Sequence, residues 1–133
     1  MIEKTFPATD DSLASAIAFV EDELEKLECS FKSVMQITVC VEEMFVNVAH
    51  YAYNGTEGTV TIQIDNENRL LSISLIDSGV PFNPLAKDDP DITLSAEERE
   101  IGGLGIFMVK KSMDEVLYER SNDTNIFTMK KQI

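Results

Sequence analysis

The stretch TVTIQIDNENRLLSISLIDSG, residues 59–79, decides the fold of this chain. Val60, Ile62 and Ile64 alternate with polar neighbours at period two, and Leu71, Ile73 and Leu75 do the same after a polar break at Asn66 to Asn68. Two half-buried strands joined by a short turn are a hairpin. Asp77 continues the inward phase of Ile73 and Leu75, so a carboxylate is expected near the core at a strand end. A buried acid requires a partner. Either an amine on a flat ligand supplies it, or Asp77-Ser78-Gly79 is an Asx-type turn.

Upstream of the hairpin the period changes to that of helices. Leu13, Ile17, Val20, Leu24 and Leu27 form one apolar stripe after a Thr9 or Asp10 cap, with Glu21, Asp22, Glu23, Glu25 and Glu28 on the solvated side. Ser30 caps a second helix, expected from about Phe31 to Tyr53 and ended by Asn54-Gly55. Residues Ile2 to Pro7 suit a short edge strand. Downstream, Ser78 to Ile101 reads as a long loop with three prolines and six acids, and such loops in compact domains are usually functional or mobile. Gly102-Gly103-Leu104-Gly105 opens a third helix to about Met113, and two strands close the chain around Asn122-Asp123. Strands grouped together with helices laid over one face predict a single two-layer α+β domain over residues 1–133.

The chain has 133 residues, with 24 Asp and Glu against 11 Lys and Arg, a formal charge of −13. That balance excludes a nucleic-acid binder that works through a basic face, and a polybasic membrane-surface protein. It leaves room for a nucleotide, which needs a few local donors and a metal ion. No apolar run reaches the length of a membrane span. Cys29 and Cys40 make a poor disulfide framework and, with the single histidine, a poor zinc site. A cytoplasmic location with reduced thiols is the expectation.

Two further constellations carry chemistry. Glu43, Asn47, His50 and Asn54 recur at helical spacing and share one face of the second helix. A carboxylate and a carboxamide one turn apart can share a water or a magnesium-type cation, or can simply face solvent. Half of the six glycines fall at Gly102, Gly103 and Gly105, at a helix start. There, exposed N–H groups and the helix dipole favour phosphate, and a tight loop-to-helix turn is the alternative. The glycines lack the P-loop Lys-Ser/Thr and do not follow a strand, which argues against P-loop and dinucleotide-binding sites.

Taken together, Glu43-x-x-x-Asn47, Asp77-x-Gly79 and Gly103-x-Gly105 resemble the N, G1 and G2 boxes of the ATPase superfamily shared by gyrase, a heat-shock chaperone, histidine kinases and a mismatch-repair protein. Within it, the strings EEMFVNVAHYAY, DSGVPFNP and GGLGIFMVKKSMDEV are similar to the anti-sigma factor serine/threonine kinases. The resemblance implies the Bergerat, histidine kinase-like fold: a mixed, mostly antiparallel sheet covered on one face by helices, with a mobile ATP lid at about residues 85–101. It implies ATP and Mg²⁺ as cofactors. Asn47 would hold Mg²⁺, Asp77 would accept from the adenine amino group, and Gly79 would leave room for the ring. Gly103 and Gly105 would turn backbone amides toward the phosphates, with His50, Arg99 and Leu104 also at the nucleotide and Thr128 near an adenine-side water. Glu43 would act as general base on a partner serine. The implied function is an anti-sigma regulatory factor that phosphorylates a STAS-type antagonist and binds a sigma factor, and the resemblance also implies a homodimer. A nucleotide-gated binding switch without phosphotransfer is the alternative, and a detached histidine-directed kinase domain a more distant one.

Overall fold

A computed structural model describes residues 1–86 and 103–133. Its elements are β1 (Ile2–Pro7), α1 (Leu13–Lys26), α2 (Phe31–Asn47), β2 (Thr59–Glu67), β3 (Leu70–Asp77), α3 (Gly103–Ser112), β4 (Glu115–Ser121) and β5 (Thr124–Gln132). A 3₁₀ turn at Asp10–Ser12 leads into α1, and a π turn at Val48–Ala52 extends α2. The five strands form one sheet in the order β1-β2-β3-β5-β4. Each neighbouring pair is antiparallel, so the described sheet is antiparallel throughout rather than mixed.

Local chemistry explains where the elements begin and end. Ser30 accepts the Ser33 N–H at 3.1 Å and satisfies one of the unpaired donors that start α2. The expected cap of α1 at Thr9 or Asp10 does not form. Thr9 makes no side-chain cap bond, and the helix is entered through the 3₁₀ turn instead. Both hairpins close over two residues with positive φ, Asn68-Arg69 (53° and 66°) and Asn122-Asp123 (52° and 63°). That geometry suits the right-handed twist of the flanking strands.

The turn at Asn68-Arg69 sets Ile62 opposite Leu75 and Ile64 opposite Ile73, so the alternating apolar residues of both strands share one face. Helices cover that face. Val20 and Leu24 of α1, with Ile37, Val41 and Phe45 of α2, are fully buried against Ile62, Ile73 and Met129 of the sheet. Central β3 and β5 therefore fix the floor of whatever lies under the C-terminal end of α2. No helix among the described residues is long and apolar enough to cross a membrane.

Candidate functional site

β3 buries alternate residues toward the helices, and the last of these is Asp77, 6% exposed. Its Oδ1 accepts the Gly79 N–H at 2.9 Å and the Asn125 Nδ2–H at 2.9 Å. Among the described residues Oδ2 has no hydrogen bond. The two readings of Asp-Ser-Gly are thus compatible, because one oxygen closes the Asx-type turn and the other is left for an external donor. Val80 N–H donates to the Ala52 carbonyl at 2.8 Å, which draws the loop after β3 against the end of α2. A Cβ on Gly79 would overlap that same carbonyl, so the close approach of the two backbones requires glycine there.

Asn125, opposite Asp77 in the β3–β5 register, is the other buried polar residue among the described ones. Its amide donates to Asp77 and, at 2.8 Å, to the Val80 carbonyl. Its oxygen accepts from the Tyr118 hydroxyl and, at 3.4 Å, from the Phe82 N–H. Thr128 does not reach this cleft. The period-two alternation of β5 turns Asn125, Phe127 and Met129 inward, so Thr128 falls on the opposite face and bonds Ser74 at 2.8 Å. The place expected for its hydroxyl belongs to Asn125.

The polar stripe of α2 is divided by the π turn. A π turn takes an extra residue per bond, so the face rotates out of helical register. Asn47, before the turn, lines the cleft, as do Tyr51 and Ala52 within it. His50 turns away, and its Nε2 lies 2.8 Å and 3.0 Å from the two carboxylate oxygens of Asp10 on the 3₁₀ turn. His50 is therefore a tie between α2 and the entry to α1, outside the cleft. Asn54 is not helical, since its φ of +49° and the +83° of Gly55 end the segment.

The cleft encloses about 450 Å³, open solvent at its mouth included. Met44, Val48, Leu75, Val80, Phe82 and Phe127 supply apolar walls, with Asp77, Asn125 and Asn47 as polar groups. A flat apolar ring with one polar edge fits such a lining. Glu43 is not among the lining residues. Half-buried on the neighbouring face of α2, its carboxylate packs against the first turn of α3, and a Cβ on Gly105 would fall on Oε2. The backbones of Gly103, Leu104 and Gly105 lie in that turn. Arg99 and the lid beyond Ala86 lie outside the described residues.

Cys40, one turn before Glu43, is buried. Burial raises its thiol pKa above the ordinary value, while a hydrogen bond from Ser112 and the charge of Lys131 work the other way. It stays a protonated, unreactive packing group. Among the described residues no three His, Cys, Asp or Glu side chains cluster to hold a metal.

Asn125, Tyr118 and Tyr51 also line the cleft, outside the three sequence motifs. The signal for Asn125 was present, since counting back from Phe127 by two puts a carboxamide at an inward position beside a strand already carrying an inward carboxylate.

The family model of the histidine kinase-like ATPase domain matches residues 6–131. Curated relatives include the serine/threonine-protein kinase BtrW of Bordetella bronchiseptica, 22% identical over 70% of this chain and 66% of its own length. The serine-protein kinase RsbW of Listeria monocytogenes is 27% identical over 65% of this chain and 59% of its own. The match thus spans less than two thirds of either kinase. The anti-sigma F factor of Clostridium acetobutylicum is 24% identical over 98% of this chain and 92% of its own. Among solved structures, the RsbU and RsbW domains of a Mycobacterium tuberculosis protein superpose with a TM-score of 0.68 at 13% identity, covering 99% of this chain and 32% of that one. With the family model spanning nearly every residue, this chain belongs to the histidine kinase-like ATPase domain family.

Proposed function

We propose that this chain is an ATP-binding anti-sigma regulatory factor that transfers phosphate from Mg-ATP to a serine or threonine of an anti-sigma antagonist. The observation that carries the proposal is the buried Asp77 carboxylate lining the apolar cleft, with Oδ1 held by Gly79 and Asn125 and, among the described residues, no hydrogen bond to Oδ2. A buried carboxylate with one unused oxygen is a specific acceptor for an amino group in the plane of a ring. The residues present suit adenine: apolar walls for its faces, Gly79 where a side chain would not fit, and a single acid at its edge. The names of the kinase and anti-sigma relatives support the same reading.

Magnesium suits the donor set in a narrower sense. Asn47 offers one neutral oxygen ligand, and magnesium bound with substrate phosphates needs few protein ligands. Gly103, Leu104 and Gly105 bring backbone N–H groups to the first turn of α3, a favourable place for phosphate oxygens. ATP, when bound, supplies the transferable phosphoryl group. Glu43, at the same turn, takes the proton from the attacking hydroxyl, which it can do only within hydrogen-bond reach of that oxygen. The Asp77 end then holds and orients the ring, and the Glu43 end receives the partner.

Incubation with Mg-ATP and a STAS-type antagonist should place phosphate on a serine or threonine of the antagonist. Glu43→Ala should abolish transfer and keep nucleotide binding. Nucleotide binding by the unaltered chain without transfer to any antagonist would favour the gated-switch reading, and normal transfer by Glu43→Ala would remove the base from its role.

A further inference from the structure

Asn125 makes four hydrogen bonds with one side-chain amide, and their polarity admits only one orientation. Nδ2 faces two acceptors, Asp77 Oδ1 at 2.9 Å and the Val80 carbonyl at 2.8 Å. Oδ1 faces two donors, the Tyr118 hydroxyl and the Phe82 N–H. Flipping the amide would set its oxygen against two acceptor oxygens and its N–H against the Phe82 N–H. Since Asn125 is 5% exposed, water could not repair the mismatch. The consequence falls on Asp77. Two N–H donors converge on Oδ1 and fix the plane of the carboxylate. Asp77 lines the cleft, so Oδ2 is the oxygen left to accept from a ligand there.

We propose that Asn125, oriented by Tyr118, is the positioning residue that makes the cleft select a ring bearing an exocyclic amino group over the same ring bearing a carbonyl. The inference rests on the adenine-nucleotide reading above and adds to it the residues that set its selectivity. Without the Asn125 donor, the Asp77 carboxylate can rotate away from the orientation that presents an acceptor to the amino group. Tyr118 acts one bond further out. Losing its hydroxyl leaves Asn125 with a weaker reason to keep its orientation.

The test is equilibrium titration of the folded chain with ADP and with IDP, which differs at that one ring substituent. The unaltered chain should bind ADP at least about tenfold more tightly than IDP, the usual scale for one buried charged hydrogen bond. Asn125→Ala should reduce that ratio by about tenfold, and Tyr118→Phe, a milder change that keeps the ring, by roughly threefold. Circular dichroism and melting establish that each variant is folded. If both variants lose affinity for the two nucleotides equally, with the ratio unchanged, Asn125 and Tyr118 are merely structural and the proposal is overturned. Asp77→Asn separates the two levels. A ratio erased by Asp77→Asn but kept in Asn125→Ala and Tyr118→Phe overturns the positioning role and leaves the adenine reading intact. An unaltered chain that binds neither nucleotide, or binds both alike, overturns both.

Discussion

Replacing Gly105 by alanine isolates the link between α3 and the proposed base. The new Cβ would fall on Oε2 of Glu43, the far end of a flexible side chain rather than backbone. Glu43 can yield by rotating, at a cost of about 1 kcal/mol for an off-rotamer torsion. Alanine returns a similar amount, since it is about 1 kcal/mol better than glycine within a helix. The two nearly cancel, so the melting temperature should stay within about 3 °C of the unaltered chain. Phosphotransfer should not survive so well. A displacement of about 1 Å at a reacting group can cost on the order of 100-fold in rate, and Glu43 must move by about a contact radius. The assay is transfer to antagonist under single-turnover conditions, beside a thermal melt and adenosine binding, which reports the Asp77 end alone. Normal transfer would show that Glu43 need not occupy this position, and a melting temperature lowered by 10 °C or more would refute the claim that the carboxylate yields cheaply.

Gly79→Ala should behave in the opposite way. There the Cβ meets the Ala52 carbonyl carbon and oxygen, which cannot rotate aside, so overpacking should cost about 2 kcal/mol and lower the melting temperature by roughly 5–8 °C; a melt unchanged from the unaltered chain would count against this close approach. Asn47→Ala should weaken binding of Mg-ATP by roughly tenfold while leaving metal-free nucleotide almost unaffected. Equal losses measured by titration with and without magnesium would withdraw the metal assignment.

Hairpins, helices and the inward phase of Asp77 were legible because each rests on a local rule. Period-two alternation, Ser30 before an apolar helix and polar pairs at two-residue turns all act within a few residues of one another. Thr128 was misplaced because a strand's facing depends on register, and one residue of shift exchanges the two faces. The Asn122-Asp123 turn fixes only the β4–β5 register, with Asn125 opposite Arg120, and the pairing of Asn125 with Asp77 is set by the non-local β3–β5 register. His50 and Asn54 failed for a different reason. Their helical spacing from Glu43 is real in the sequence, but the backbone leaves the α-helix at Val48, and no residue pattern there announces a π turn. That turn sets the Ala52 carbonyl against Gly79 and Val80, so the tertiary contact with the β3 loop, a non-local interaction, accompanies the change of phase. The cleft is thus a product of long-range packing laid over elements that the sequence specifies locally.

The acidity of the chain bears on the phosphate end more than on the ring end. Among the described residues the lining of the cleft around Asp77 includes no lysine or arginine, so ring binding there would rest on shape, dispersion and one oriented carboxylate. At the first turn of α3 the carboxylate of Glu43 already occupies the positive end of the helix dipole. A second anion brought about 5 Å from it would be repelled by about 3 kcal/mol at the effective dielectric of a protein surface. A divalent cation held beside Asn47, one helical turn from Glu43, would offset this repulsion directly. The Glu43–Asn47 spacing would then let one helix terminus serve both the proposed base and the phosphates when a cation is bound at Asn47.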